Sequence, residues 1–436
     1  MTAPAPTRCI TALLTVTCAV TSSNIYLLQP LLGQVAHDFG ASQTDAGRCA
    51  TLIQVGYAAG ILLLVPLGDR VNRRPLILTM MTLTTIALVC VAVSPTITWL
   101  AVAATALGFL TPIPQVVLPL GVALAGHQPG RIVGTLQAGL LVGLLASRSY
   151  AGLLGQFASW RLVYWCSAAL MIFTTVALKA KLPSMPGADT ALRYPALLRS
   201  LSVMLFGNVR VAGVCLSGAL IGCAFGAFWN TLSFVLAGEF GFGPAVIGLF
   251  GLVAATSATT SPLAGRLADR WGVRRSQLML ICTVATGWIV LLINPHAVGS
   301  FVAGTVLLDV GVWGNQVVNQ ATLFQSDPAI HNRLNTLYFV TRFLGIAAGS
   351  ALGIQLWSVA GWPAVATGGL LAALLALPIA LFAAGTRGTG GDLDRGGHER
   401  GDQRPTILLV PGEHEAAGRC VGHRDAGQAG RDRLDQ

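Results

Sequence analysis

The sequence predicts an all-α membrane protein in which twelve transmembrane helices form two six-helix repeats. Three observations predict it. The composition is too apolar for a water-soluble fold. The apolar residues fall into separated runs, each about one bilayer long. Landmark residues recur at an offset near 200 positions.

Of 436 residues, 54% are hydrophobic and only 10% charged, with a mean hydropathy of +0.69. Soluble domains carry roughly 25% charged residues, so this surface needs lipid around it. The net charge of +10 is confined to segments between apolar runs. That distribution points to membrane topology and away from nucleic acid. Eight of the nine cysteines sit in or beside apolar runs, with no CxxC and no Cys/His cluster at metal spacing. They read as small packing residues, and no metal or cofactor is expected.

A spanning helix needs about 20 apolar residues. On that ruler the spans fall at 10–32, 47–67, 76–94, 99–125, 132–155, 162–180, 211–237, 245–265, 276–294, 298–325, 334–358 and 363–384. The first follows Arg8 but lacks a small-x-small cleavage site and contains Asn24, Tyr26 and Gln29, so it reads as a retained helix. Alternate loops sort by charge. One set holds Arg8, Arg70, Arg73, Arg74, Arg131, Lys181, Arg193, Arg199, Arg210, Arg266, Arg270, Arg274, Arg275 and Arg333; the other holds only Arg48 and Arg161. The positive-inside rule places the first set and both termini in the cytoplasm of a multi-pass cell (inner) membrane protein. The longest connection divides the chain into a six-helix bundle at 1–182, a cytoplasmic linker at 183–210 and a second bundle at 211–386. Residues 387–436, rich in Gly, Arg and Asp, lack hydrophobic periodicity and read as a disordered cytoplasmic tail.

The halves echo each other. Asp69 and Asp269 are 200 residues apart, Gln115 and Gln316 are 201 apart, and Arg131/Arg333 and Trp160/Trp362 are each 202 apart. With six spans per copy, both repeats have the same orientation and are related by an axis along the membrane normal. "PLGDRVNRR" (66–74) follows the second span and "GRLADRWGVRR" (265–275) the eighth. The second copy resembles the loop signature of the major facilitator superfamily. The first keeps Leu67, Asp69, Arg70, Arg73 and Arg74 but has Val65 and Asn72 where that family prefers Gly. The resemblance covers 1–386 and is similar to the twelve-span drug- and metabolite-efflux branch. It implies a conformational latch made by Asp69, Arg70, Arg73, Arg74, Asp269, Arg270, Arg274 and Arg275, in which Asp69 meets the N-terminus of the eleventh helix near Asn335. A carboxylate gains about 0.3–1 kcal/mol at such an end. The same arginines serve topology alone if the latch is absent. The resemblance also exposes departures. Ala104 stands where the efflux branch carries an Arg in the fourth helix, and Ser147-Arg148 replaces the Gly-Pro of its fifth.

Acids at mid-membrane are costly and mark functional positions by default. Asp309 lies in the tenth span. At 100° per residue, Trp313, Gln316 and Gln320 share its stripe, with Asn319 about 80° away. The resemblance implies that helices 1, 4, 7 and 10 line a central cavity. Helix 4 carries Thr111 and Gln115, helix 1 Asn24, Tyr26 and Gln29, and helix 7 Trp229 and Asn230. The amides supply paired donors and acceptors; interhelical hydrogen bonding is the alternative use of Gln115, Gln316 and Asn319. Arg342 and Arg148 are the other intramembrane charges. Asp309 is either a proton site or substrate anchor, or half of a structural ion pair with Arg342. Arg148 either packs, snorkelling outward, or functions. The expected function is secondary active export of a small organic molecule by alternating access, coupled to protons, from a monomer in the lipid bilayer. No GxxxxGK[ST] loop is present for ATP. An uncoupled sugar or metabolite facilitator, a transport-inactive sensor and a membrane-embedded enzyme are the alternatives, and no HExxH or GxSxG motif supports the last.

Overall fold

Polar residues that can cap a backbone start many of the helices. Ser42, Asn72, Thr96, Ser159 and Asn208 each accept a hydrogen bond from a first-turn amide. The computed structural model describes residues 8–124, 129–182, 194–255, 260–326 and 330–385. The helices are α1 (Arg8–Ser23), α2 (Leu32–Asp38), α3 (Gln43–Leu64), α4 (Arg73–Ala92), α5 (Ile97–Leu110), α6 (Ile113–Leu124), α7 (Pro129–Phe157), α8 (Trp160–Lys181), α9 (Tyr194–Gly207), α10 (Val209–Phe240), α11 (Pro244–Ala255), α12 (Thr260–Trp271), α13 (Val273–Ile293), α14 (Val298–Leu323) and α15 (His331–Gly385). By length and hydropathy, nine spans among the described residues are able to cross a membrane, with α5–α6 as one and α15 as another. α15 is two arms, broken at Ala360 and at Gly361, whose φ of 65° suits a residue without Cβ. With those arms separated, and α1 and α11–α12 added, the helices match the twelve apolar runs.

Several expected boundaries move, each for a local reason. The first span does not run as one helix over 10–32. α1 stops at Ser23, turns follow, and Gln29–Leu31 form a 3-10 turn around Pro30 before α2. The fourth span breaks between α5 and α6 at Thr111-Pro112, because proline cannot donate into the helix. The seventh extends to Phe240, where Gly241 at φ 64° closes it and the Phe242 amide reaches Leu236 O at 3.0 Å. The segment assigned to a linker contains α9, whose Leu197 and Leu201 are buried and whose Tyr194 hydroxyl donates to Leu63 O at 2.6 Å. The tail and the Asp69 side chain lie outside what is described.

The repeat is visible in the packing. In the first half α1 packs on α7, and in the second α10 packs on the first arm of α15. Gly143 abuts the Ala19 carbonyl, and Gly345, 202 residues on, abuts the Ala219 carbonyl. The paired tryptophans also match. The Trp160 indole donates to Asp38 at 3.1 Å and the Trp362 indole to Leu291 O at 3.0 Å, each tying the start of a helix to a neighbour.

We refer to the end of the molecule that carries Arg70, Arg73, Arg74 and Arg266–Arg275 as the basic face. At the opposite face Asp38 is bonded by Arg161 and Trp160. The Arg161 hydrogen bond, then that of Trp160, holds the Asp38 carboxyl below its ordinary range. A group depressed on folding contributes stability above its unfolded pKa, lost as pH falls through its folded one. Asp38→Asn is therefore expected to lower the melting temperature slightly at pH 7. Because the Asp38 side chain is 41% exposed, solvent screening keeps the cost under about 1 kcal/mol. In acid, once wild-type Asp38 is protonated, the two melting curves should converge; a gap that persists there would mean the Asn change acts through packing.

Candidate functional site

A cavity of about 290 Å³ lies between the repeats. Tyr26, Tyr57, Gln115 and Gln137 contribute from the first half, and Phe225, Trp313, Gln316, Gln320, Phe339 and Arg342 from the second. Gln115 and Gln316, the repeat-related pair, face the same space. Of the residues singled out from sequence, Tyr26, Gln115, Trp313, Gln316, Gln320 and Arg342 line it; the rest do not, and each has a physical reason. Asn319 lies off the stripe, receives a bond from Gln277 at 2.8 Å and donates to Asn315 at 2.8 Å, so its amide serves helix packing. Thr111 turns its hydroxyl back to the Leu107 carbonyl. Asn230 donates across the repeats to Gly47 O at 3.2 Å. Asn24 is buried in the turn after α1. Gln29 and Trp229 join a separate cluster with Asp309 and Arg148.

That cluster lies beyond the far end of the cavity. Asp309 continues the Trp313–Gln316–Gln320 stripe one turn further from the basic face and is 1% exposed. The Trp229 indole donates to Asp309 Oδ1 at 3.3 Å. Arg148, 2% exposed, stacks on the same indole with its guanidinium carbon 3.8 Å from the ring centroid, and on Tyr26 at 4.4 Å. Its Nε donates to Gln29 Oε1 at 2.8 Å. Trp229 thus couples cation and carboxylate, its face to one and its N–H to the other. Two expectations are corrected here. Asp309 is linked to Arg148 through the Trp229 indole, and among the described residues it forms no ion pair with Arg342. Arg148 does not snorkel, because its stripe on α7 faces the second repeat, where Ser149 Oγ bonds Gly248 O at 2.8 Å. Tyr26, Phe225, Trp229 and Trp313, in edge or tilted contact at 6.0–6.5 Å, lie between the charges and the cavity.

Beyond the cluster the repeats hold together toward the opposite face. Thr51 and Ser350 hydroxyls meet at 2.9 Å, and Trp357 Nε1 donates to Gln43 at 3.0 Å. α11 packs on α7 there, whereas α12 packs on α13 and α14. At the basic face, Gly68, Arg73, Asn332 and Asn335 line one small pocket, and Gln320 donates to Asn335 at 2.8 Å. Arg73 bonds Gly68 O at 3.1 Å and Arg74 bonds Lys179 O at 2.9 Å, while Arg70, Asp269, Arg270, Arg274 and Arg275 are exposed. Sequence reasoning missed Tyr57, Gln137, Phe225 and Phe339. Gln137 had a signal: with Leu140, Leu141, Leu144 and Arg148 it forms one helical stripe on α7.

The model of the Major Facilitator Superfamily matches residues 13–211 and 214–411. The chain belongs to that superfamily. The uncharacterized transporter YgaY of Escherichia coli O157:H7 is 33% identical over 354 residues, covering 81% of this chain and 90% of its own. Streptomyces coelicolor SCO4007, named as a transporter, is 33% identical over 374 residues, covering 83% and 84%. Among solved structures, a peptide transporter in complex with alafosfalin superposes with a TM-score of 0.66 at 14% identity, covering 86% of this chain and 94% of that one; this likeness concerns the fold. The protein is thus a multi-pass superfamily member related to transporters, and this kinship favours carriage of a small molecule over catalysis.

Proposed function

We propose that this superfamily member exports a small organic molecule across the inner membrane by alternating access, driven by protons. In this reading the bundles are 1–182 and 211–386, joined by 183–210, and the basic face, both termini and the 387–436 tail are cytoplasmic. The positive-inside charge bias supports that orientation. The state described is then the one closed to the outside. One observation carries the proposal: the charge cluster behind the aromatic end of the cavity is divided between the repeats. Gln29, Tyr26 and Arg148 come from the first, Trp229 and Asp309 from the second. Rocking one repeat against the other parts the guanidinium from the carboxylate. A carboxylate that alternates between a cation neighbour and none can bind a proton on one side and release it on the other. The latch of Asp69, Arg70, Arg73 and Arg74, with Asp269, Arg270, Arg274 and Arg275 in the second copy, would oppose that rocking at the basic face.

Reconstitution into sealed vesicles tests it. A radiolabelled substrate should accumulate against its gradient when a pH gradient is imposed, and a protonophore should abolish the accumulation. Equilibration that ignores the pH gradient would replace export with a facilitator. No flux for any compound that binds would leave a sensor.

A further inference from the structure

We propose that the cavity selects organic anions, with Arg342 as the group that binds the carboxylate or other acidic function. The inference rests on the transporter reading and names its substrate class. Arg342 is the one charged side chain among the described residues lining the cavity. It is 2% exposed, so lipid and bulk water do not solvate it. Its guanidinium carbon lies 5.6 Å from the Trp313 ring centroid and it interacts with the Tyr338 hydroxyl, while Nη1 has no hydrogen-bond partner among the described residues.

The one buried acid among the described residues does not neutralise it. Asp309 lies behind the aromatic layer, bonded by the Trp229 indole on which Arg148 stacks. The cavity wall therefore holds an uncompensated cation. A buried charge without a partner is strongly unfavourable, so the arrangement persists where water or an anion completes it. A guanidinium with an unpartnered Nη1 fits a carboxylate, sulfonate or phosphate and has nothing to offer an amine. The remaining wall defines the rest of the ligand. Tyr26, Tyr57, Phe225, Trp313, Phe339 and Phe343 present rings, and the amides of Gln115, Gln316 and Gln320 lie toward the basic face. An aromatic or other flat apolar body with one acidic group and a distal hydroxyl or carbonyl matches that wall. At about 290 Å³ the space suits a small organic acid rather than a peptide chain.

Matched probes decide it. The purified full-length protein is titrated with 4-hydroxybenzoate, 4-hydroxybenzamide and 4-hydroxybenzylamine, and with the corresponding naphthalene series, with binding read as a thermal shift and by calorimetry. In both series the carboxylate should bind tighter than its amide by about tenfold to a hundredfold, the range of one charge-assisted hydrogen bond, and the amine should bind weakest. Arg342→Gln should erase the preference and Arg342→Lys should keep part of it. The wild-type ranking alone is decisive if Arg342→Gln does not fold. Equal affinities, a preference for the amine, or no binding of any carboxylate overturns the proposal. Counterflow in vesicles separates this from failure of the transporter reading. Vesicles that carry the amide or amine but not the carboxylate leave transport standing without anion selectivity. Tight carboxylate binding with no flux of any probe does the reverse.

Discussion

Gly349→Ala is expected to leave almost no folded protein, although it adds a single carbon. A Cβ at Gly349 would overlap the Cys223 carbonyl and come within 2.6 Å of the Cys223 Cα. The clash is with backbone, so no rotamer relieves it. Gly345, one turn earlier on α15, abuts Ala219, and Gly353, one turn later, faces Ala227 Cα at 2.9 Å. Three glycines at four-residue spacing therefore press α15 against α10 along its length. Without a hydrophobic drive between helices in lipid, such close packing is what holds them together. Overpacking a rigid site costs about 1–3 kcal/mol or more, and here the penalty lies at or above the upper end. Gly143→Ala, the repeat-related change against Ala19, should behave alike. Gly134→Ala is the control, because a Cβ there meets nothing within 4 Å; its better helix propensity should leave the melting temperature equal or higher. Size-exclusion profiles and melting in detergent read all three. Normal elution and melting of Gly349→Ala would show that the two helices can separate freely.

The glycine seams were partly legible in the sequence. The four-residue spacing of Gly139, Gly143, Ser147 and Ala151 was visible, because close packing in lipid leaves a periodic trace of small residues. The span pattern and the repeat were legible for a related reason: a bilayer imposes a fixed length, and duplication leaves a fixed offset. The partner of Asp309 was not legible. Depth along a helix can be counted from sequence at about 1.5 Å per residue, and that count sets Asp309 and Arg342 at one level. Rotation about the helix axis and the tilt between repeats decide which arginine faces the acid, and neither is written in one chain. The aromatic layer was hidden for the same reason, since Phe225 resembles any other phenylalanine in an apolar helix. The start of α10 lies within two residues of the expected 211, where Asn208 caps it, whereas its end at Gly241 lies beyond the expected 237, and α1 departs more, because Asn24 lies in an irregular turn.

Asp309→Asn is expected to uncouple transport from protons while leaving exchange intact. The Asn side chain keeps the shape and can still accept from the Trp229 indole, which now donates to Asp309 Oδ1. It cannot carry a proton between the two faces. Accumulation driven by an imposed pH gradient should vanish, and counterflow down a concentration gradient should survive. The same change strands Arg148, whose Nη1 and Nη2 have no hydrogen-bond partner among the described residues. Removing one member of a contacting buried pair typically costs about 3–5 kcal/mol; these two charges are linked through the Trp229 indole, so stability should fall by less than that, and Arg148→Gln should show a similar loss. The double variant Asp309→Asn with Arg148→Gln removes both charges and should recover most of that stability, yet remain unable to accumulate substrate on a pH gradient. Arg342→Gln should change stability by the same amount whether or not Asp309 is replaced, because Arg342 faces the cavity and not the acid. The assignments therefore separate in the same set of vesicles and melts. Non-additive recovery with Arg342 instead of Arg148 would reinstate the Asp309–Arg342 ion pair. A double variant with Arg148→Gln that is stable and still fully proton-driven would reduce the cluster to a structural brace, and the coupling group would have to lie elsewhere.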